Sequence, residues 1–298
     1  MRRPAVGFLE SLESRCLLAD AGFISVGSKV FFNYGDAEHG QELWATDGTA
    51  EGTGMMGDIN PGPASLVASR RQATSNRLFF IANERVRPEL WTSDGTPIGT
   101  RKAAVLNKTM PRHWHAAAAG DKYYYVRKHA VWGSELFVTD GTPGSLRALD
   151  IVPRAGSSLP ANLTPVGDRL IFTATGADGK RAIYGTDGTS PQKLIDEAGI
   201  PATLMTMELG STRLLTIKQE RGTGLWVTDG TAAGTSRIAV LSGPVRWSDP
   251  SSTVAGSRIY FMVHEGKGID SLWCSDGTVT GTVEIRQGSQ LNSVAELV

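Results

Sequence analysis

The sequence predicts an all-β chain, a single β-propeller of six blades, each a sheet of four antiparallel strands. Three observations predict it. Asp-Gly-Thr recurs six times, at Asp47, Asp94, Asp140, Asp187, Asp229 and Asp276. The intervals are 47, 46, 47, 42 and 47 residues, a period that marks a propeller, a solenoid or a similar array of sequential units. Each period also contains four short β-rich runs, the number in one propeller blade.

The runs take their places in order. The first is rich in small residues, as in HAAAAG from His115, NLTPVG from Asn162, LMTMELG from Leu204, STVAG from Ser252 and SLVAS from Ser65, and small side chains suit the crowded innermost strand. The second starts with Lys or Arg in every unit, at Lys29, Arg77, Lys122, Arg169, Arg213 and Arg258, and continues with bulky residues. The third carries an apolar residue followed by an aromatic one: Leu43-Trp44, Leu90-Trp91, Leu136-Phe137, Ile183-Tyr184, Leu225-Trp226 and Leu272-Trp273. Successive side chains on a strand point to opposite faces, so this strand is apolar on both sides and needs cover on both. A stack of blades provides that cover.

Asp-Gly then reverses the chain, because Asp can bond its own backbone and Gly takes positive φ. In four units a second Gly-Thr follows, at Gly52, Gly99, Gly234 and Gly281, which implies a fixed loop geometry; the third and fourth units depart from it. The fourth run, such as TRKAAVL from Thr100 or TSRIAVL from Thr235, is the expected outer edge strand. FISVG from Phe23 offers a first-type strand at one end of the chain. GSQLNSVAELV from Gly288 resembles GSSLPANLTPV from Gly156 and offers another. The two ends are expected either to compete for the first blade or to leave the C-terminal strand opening a further unit.

Composition narrows the function classes. Lys plus Arg and Asp plus Glu are equal at 30 each, so no charge excess draws the chain toward nucleic acid. With 35 Gly and only 2 Cys among 298 residues, it is turn-rich and no disulfide scaffold, and a bridge between Cys16 and Cys274 is not expected. No stretch approaches the roughly 18 consecutive apolar residues of a membrane helix, so no span is expected.

The units QELWATDGTAEGT from Gln41, PELWTSDGTPIGT from Pro88, TGLWVTDGTAAGT from Thr223 and DSLWCSDGTVTGT from Asp270 resemble the ELWxxDGTxxGT repeats of bacterial proteins. That resemblance implies a propeller and an exported or cell-surface setting, with no activity attached. Separately, FLESLESRCLLA from Phe8 resembles an N-terminal LEPR-xLL motif of large exported bacterial proteins, with Ser14 where Pro is expected. Residues 1–20 are therefore expected to be an export or surface-type segment, disordered or weakly structured, with residues 21–298 forming the propeller. No uninterrupted apolar core supports an ordinary signal peptide.

Site candidates are few. His113 and His115 alternate around Trp114, and in an extended segment both imidazoles would share a face, but two ligands make no metal site. Arg246, Trp247 and Asp249 occupy the matching region three blades on. Trp114 and Trp247, if exposed on the axial face, would form a carbohydrate or peptide platform; the alternative is packing between blades. Glu42, Glu89 and Glu135 precede the aromatic pair in three units only and are expected as solvated strand ends. The six turn aspartates are expected to be structural; one Asp and one Thr per turn fall short of the six to eight oxygens that calcium takes. No cofactor is expected.

No phosphate loop, nucleophile elbow or catalytic triad ordering is readable. The expectation is a noncatalytic, monomeric, extracellular or cell-surface platform for another protein or a polysaccharide. The competing class is a carbohydrate-active hydrolase or lyase with its site on the axial face.

Overall fold

The computed structural model describes residues 22–66, 68–82, 88–106, 115–129, 133–153, 156–196, 200, 204–219, 222–245, 247, 251–266 and 269–286. The proposed N-terminal segment 1–20 and the strand expected after Gly288 lie outside the described residues. Among the described residues there is no helix, and the strands form six sheets, each of four antiparallel strands, the blades of a β-propeller.

Two compact units hold them: Met1–Met110, with blades 1 and 2, and Pro111–Val298, with blades 3 to 6. Blade 1 consists of β1 (Ile24–Val26), β2 (Lys29–Asp36), β3 (Gly40–Thr46) and β4 (Gly54–Met55). Blade 2 has β5 (Ser69–Ala73), β6 (Leu78–Ala82), β7 (Glu89–Ser93) and β8 (Arg101–Val105). Blade 3 has β9 (Ala116–Ala119), β10 (Lys122–His129), β11 (Gly133–Thr139) and β12 (Arg147–Leu149). Blade 4 has β13 (Ala161–Val166), β14 (Arg169–Thr175), β15 (Arg181–Thr186) and β16 (Gln192–Ile195). Blade 5 has β17 (Thr206–Leu209), β18 (Thr212–Lys218), β19 (Thr223–Thr228) and β20 (Ser236–Leu241). Blade 6 has β21 (Ser252–Ala255), β22 (Arg258–Gly266), β23 (Ile269–Ser275) and β24 (Val283–Arg286).

Strand order within every sheet follows chain order, so each blade is a meander. The first blade takes its first strand from β1, which pairs with β2 from Ile24↔Phe31 to Val26↔Lys29. One expectation is corrected: the first strand of blade 2 is Ser69–Ala73, not SLVAS from Ser65. Leu66 is 2 % exposed and its N–H donates to the Gln41 carbonyl at 2.7 Å, so hydrophobic burial holds this segment against β3 before the new strand begins.

The apolar–aromatic pair splits across its strand. Leu43 of blade 1 shares a buried layer with Leu78, Phe80 and the half-buried Trp91 of blade 2. In the second unit Leu136 of blade 3 meets Phe172 and Tyr184 of blade 4. Ile183 of blade 4 meets Leu215 and Trp226 of blade 5, and Leu225 of blade 5 meets Phe261 and Trp273 of blade 6. Each of these layers thus joins the aliphatic side of one third strand to the aromatic side of the next. Cross-strand stacking stiffens the aromatic side: Phe80 and Trp91 lie opposite each other with centroids 6.4 Å apart, and Phe172 and Tyr184 with centroids 5.8 Å apart.

Leu225 is fully buried in the layer between blades 5 and 6, whereas Val279 is 65 % exposed in a turn. Leu225→Ala is expected to cost about 2–5 kcal/mol of unfolding free energy. Val279→Ala should stay within about 0.5 kcal/mol. Denaturant melts of the two variants check this, and similar midpoints would refute the layer as a source of stability.

Candidate functional site

Each blade has two unlike ends. Antiparallel order places the turn between first and second strands and the Asp-Gly-Thr turn at one end. The hairpin between second and third strands and the loop crossing to the next blade lie at the other. The recurrent aspartates belong to the first end, and the cleft and histidines described below belong to the second.

The Asp-Gly-Thr turn is a closed hydrogen-bond circuit. Asp47 Oδ1 accepts from the Thr49 amide at 3.0 Å and from its hydroxyl at 2.7 Å, while Thr49 Oγ1 accepts from the Gly52 amide at 2.9 Å. Thr53 Oγ1 donates to the Thr49 carbonyl at 2.5 Å and lies 2.6 Å from Thr46 Oγ1, which in turn accepts from the Gly48 amide. Blades 2, 5 and 6 repeat the circuit around Asp94, Asp229 and Asp276. Gly48 sits at φ +95°, a left-handed conformation that glycine adopts without strain. Gly52 is required for another reason: a Cβ there would come well under 3.0 Å from the Asp47 carboxylate. Blade 3 keeps the circuit with Ser145 in place of the second Thr, and blade 4 keeps the Asp187–Thr189 bonds and the Gly188 amide on Thr186 Oγ1. The hydroxyl residue before each Asp, Thr46, Ser93, Thr139, Thr186, Thr228 or Ser275, completes the turn; the alignment contained this signal, and sequence reasoning missed it.

These carboxylates are committed to their own backbone. Thr49 hydroxyl and amide donors hold Asp47 below the usual carboxylate range, and Thr189 and Thr278 do the same for Asp187 and Asp276. At Asp140 burial pushes the pKa up, but hydrogen bonds from Thr142 and Ser145 prevail and bring it down to about 2. Among the described residues no group of three His, Cys, Asp or Glu side chains is arranged to hold a metal.

In four blades the basic residue opening the second strand also finds a purpose. Lys29 of blade 1 donates to the Gly95 carbonyl in the turn of blade 2 at 2.5 Å. The stem of Lys122 in blade 3 packs on Gly188 of blade 4, and that of Arg169 in blade 4 packs on Gly230 of blade 5. Arg213 instead reaches back, its Nε donating to the Pro165 carbonyl of blade 4 at 2.5 Å.

The glutamates correct an expectation. Glu42 and Glu135 are fully buried, not solvated strand ends. Glu42 accepts from the Asn60 amide at 3.0 Å and the Ile59 amide at 3.3 Å; Glu135 accepts from the Ser158 amide at 2.8 Å, the Ser158 hydroxyl at 2.5 Å and the Ile151 amide at 3.3 Å. Both anchor the loop crossing to the next blade, and both loops carry Asp-Ile-x-Pro, at Asp58 and Asp150. Burial raises both carboxyl pKa values, against the pull of these hydrogen bonds. Glu89 does something else: it accepts from Trp91 Nε1 at 3.1 Å and pairs with Lys102 at 2.9 Å.

Of the proposed binding residues, His113, Trp114, Arg246 and Asp249 lie outside the described residues. His115 is exposed just before β9, and its carbonyl accepts from the Val126 amide at 3.0 Å. Trp247 is 8 % exposed, packs on Phe261 with centroids 5.2 Å apart and donates from Nε1 to Thr216 Oγ1 at 3.3 Å. Its indole lies in the layer between blades 5 and 6 and offers no exposed platform.

Thr216 leads to a feature that sequence reasoning missed. A cleft of about 420 Å3 opens at the crossing-loop end of blade 5, lined by Met205, Thr216, Lys218, Thr223, Pro244 and Val245 among others. Met205 is 45 % exposed at its edge, while Val245 and Thr223 are buried in its wall. Beyond Val245, His264 on β22 bonds through its amide to the Pro244 carbonyl, and its Nδ1 pairs with the carboxylate of Asp270 opposite on β23. The residues of this cleft come from strand ends and two loops, and no spacing in the sequence connects them.

No family model matches the chain, and no curated protein does. Among solved structures it is similar to a prolyl endopeptidase at 11% identity and a TM-score of 0.51, over 89% of this chain and 42% of that one. It also matches the β-propeller domain of the Trilobed protease from Pyrococcus furiosus at 12% identity and a TM-score of 0.40, over 90% of this chain and 84% of that one. TolB from Acinetobacter baumannii matches at 12% identity and a TM-score of 0.36, over 87% of this chain and 64% of that one. The likeness to the prolyl endopeptidase concerns the fold alone, and this chain spans less than half the length of that protein.

Two predictions concern the turns. Gly52→Ala forces a Cβ onto Asp47 and should cost about 1–3 kcal/mol. Gly54→Ala, with open space around its Cβ and an ordinary φ, should be neutral, so equal melting points for the two would contradict the close approach. The second concerns pH. The folded pKa of Asp140 is depressed from 3.8 to about 2, so its stabilising contribution is full above the unfolded value and is lost as pH falls through the folded one. The stability gap between wild type and Asp140→Asn should therefore shrink as pH is lowered from about 5 to about 2. Denaturant midpoints across that window test it, and a constant gap would overturn the assignment.

Proposed function

We propose that the chain is a noncatalytic, exported or cell-surface propeller that serves as a rigid binding platform for another protein or a polysaccharide. The carrying observation is the cleft on blade 5. Its apolar side, Met205, Pro244 and Val245, faces hydroxyl and cationic groups from Thr216, Thr223 and Lys218. An apolar surface with a few polar groups of fixed direction is the makeup of a recognition site. Rigidity supports the same reading: Thr216 is held by Trp247, which is itself packed on Phe261, so ligand binding orders little that is mobile.

The peptidase neighbours supply a fold and, at their low identity, no activity for this chain. The exported setting rests on the ELWxxDGTxxGT and LEPR-xLL resemblances. Glycan-array and protein-array binding of the purified 298-residue chain tests the reading. Retention on at least one glycan or protein is expected, together with its loss in the double variant Met205→Asp/Lys218→Glu at an unchanged melting temperature. Retention unaffected by the double variant would remove the blade 5 cleft from the reading, and no retention on either array would remove the platform itself.

A further inference from the structure

The first unit contains a second cleft, also of about 420 Å3, lined by Gly22, Phe23, Ile24, Asn33, Ala68, Ser69, Arg70 and Arg71. Its composition differs from that of blade 5, because two consecutive arginines face the same space. On a regular strand they would point to opposite faces. Here β5 is bulged: Ser69 pairs with Ile81 and Gln72 with Phe79, leaving Arg70 and Arg71 together opposite Phe80. Bulges re-aim side chains in this way and occur next to binding sites.

Arg70 makes this possible by adopting φ +49°, a left-handed conformation that arginine seldom takes. Blade 4 shows what the same bulge looks like when its purpose is structural. There β13 shifts register between Ala161 and Thr164, and the left-handed residue is Asn162 at φ +57°, a residue type that tolerates the conformation. Asn162 Nδ2 donates to Thr173 Oγ1 at 3.0 Å, and Arg181 donates to the same oxygen at 2.6 Å, so that bulge is closed by its own blade. The blade 2 bulge is likewise tied to its own blade, Ser69 Oγ donating to the Ile81 carbonyl at 3.2 Å, but its left-handed residue is a long cation that lines a cleft. Conformation does not account for that choice.

The remaining walls complete a ligand pattern. Asn33 is 9 % exposed, and its Oδ1 has no hydrogen-bond partner among the described residues, leaving a buried acceptor in the cleft wall. Phe23 is 70 % exposed at the rim, its ring 5.7 Å from that of Phe32. No carboxylate lines the cleft among the described residues. A guanidinium carries five N–H donors in a planar fork, so one already bonded to a neighbour still has donors to present.

We propose that this cleft binds a sugar bearing a carboxylate, a uronate unit of an acidic polysaccharide. The carboxylate lies between Arg70 and Arg71, a ring hydroxyl donates to Asn33 Oδ1, and the apolar face of the sugar stacks on Phe23. The inference deepens the polysaccharide branch of the platform reading and rests on it.

Calorimetric titration of the full chain with trigalacturonate, its methyl ester and inorganic phosphate tests the assignment. Trigalacturonate should bind, and the neutral ester should bind at least about tenfold more weakly, as loss of charge-assisted hydrogen bonds dictates. Arg70→Gly removes the guanidinium and suits the backbone, so it should lose affinity to a similar degree while the melting temperature holds or rises. Asn33→Asp keeps the shape but sets a carboxylate against the ligand, and should weaken binding too. Equal binding of acid and ester, full affinity in Arg70→Gly, or no binding of trigalacturonate would overturn the proposal. Phosphate binding as tight as trigalacturonate would also overturn it, reducing the cleft to a general anion site. If neutral glycans are still retained through the blade 5 cleft, the platform survives and only the acidic specificity falls.

Discussion

Adhesion between unlike faces of neighbouring sheets is the interaction on which the rest of this structure depends. One third strand offers a leucine or isoleucine, and the next offers a tryptophan or tyrosine, backed on the adjacent strand by a second ring in three of the four layers and by Leu215 in the fourth. Dispersion and dehydration act on both surfaces at once, and a flat ring against a branched aliphatic leaves little void. Layers of this kind hold strands as short as β4 or β12, which have few ladder bonds of their own.

With the faces fixed, the two ends of each blade divide the labour. One end is closed by turns whose aspartates, threonines and glycines bond among themselves and to cations of the same or the preceding blade. That end spends its polar groups internally. The other end is made of crossing loops, two of which are fastened by buried glutamates. Both clefts lie there.

Much of the fold was legible because apolar periodicity and turn chemistry are local properties. The period, the second and third strands, the edge strands and the reversing aspartates could all be read from adjacent residues. The first strand of blade 2 could not: Leu66 reads as strand but is buried as loop by contacts with β3, a tertiary effect. The site was less legible. Glu42 and Glu135 looked like surface charges because their partners are amides 16 to 23 residues away. Trp247 looked like a platform because a sequence does not say which side of an indole is covered. Arg70 and Arg71 gave no signal at all, since a pair of arginines acquires meaning only when a bulge turns both the same way.

The polarity of the junction between blades sets how such a chain can lengthen. In each of the four layers described, one sheet presents an aliphatic side forward and the next an aromatic side behind, and in blades 1, 3 and 4 the lysine or arginine of the second strand reaches ahead to the following turn. A duplicated unit spliced between two neighbours meets, on each side, a surface of the kind it already fits. Tandem copying therefore needs no compensating change at the seam. Variation between units gathers in the crossing loops, where blades 1 and 3 share Asp-Ile-x-Pro and the others lack it.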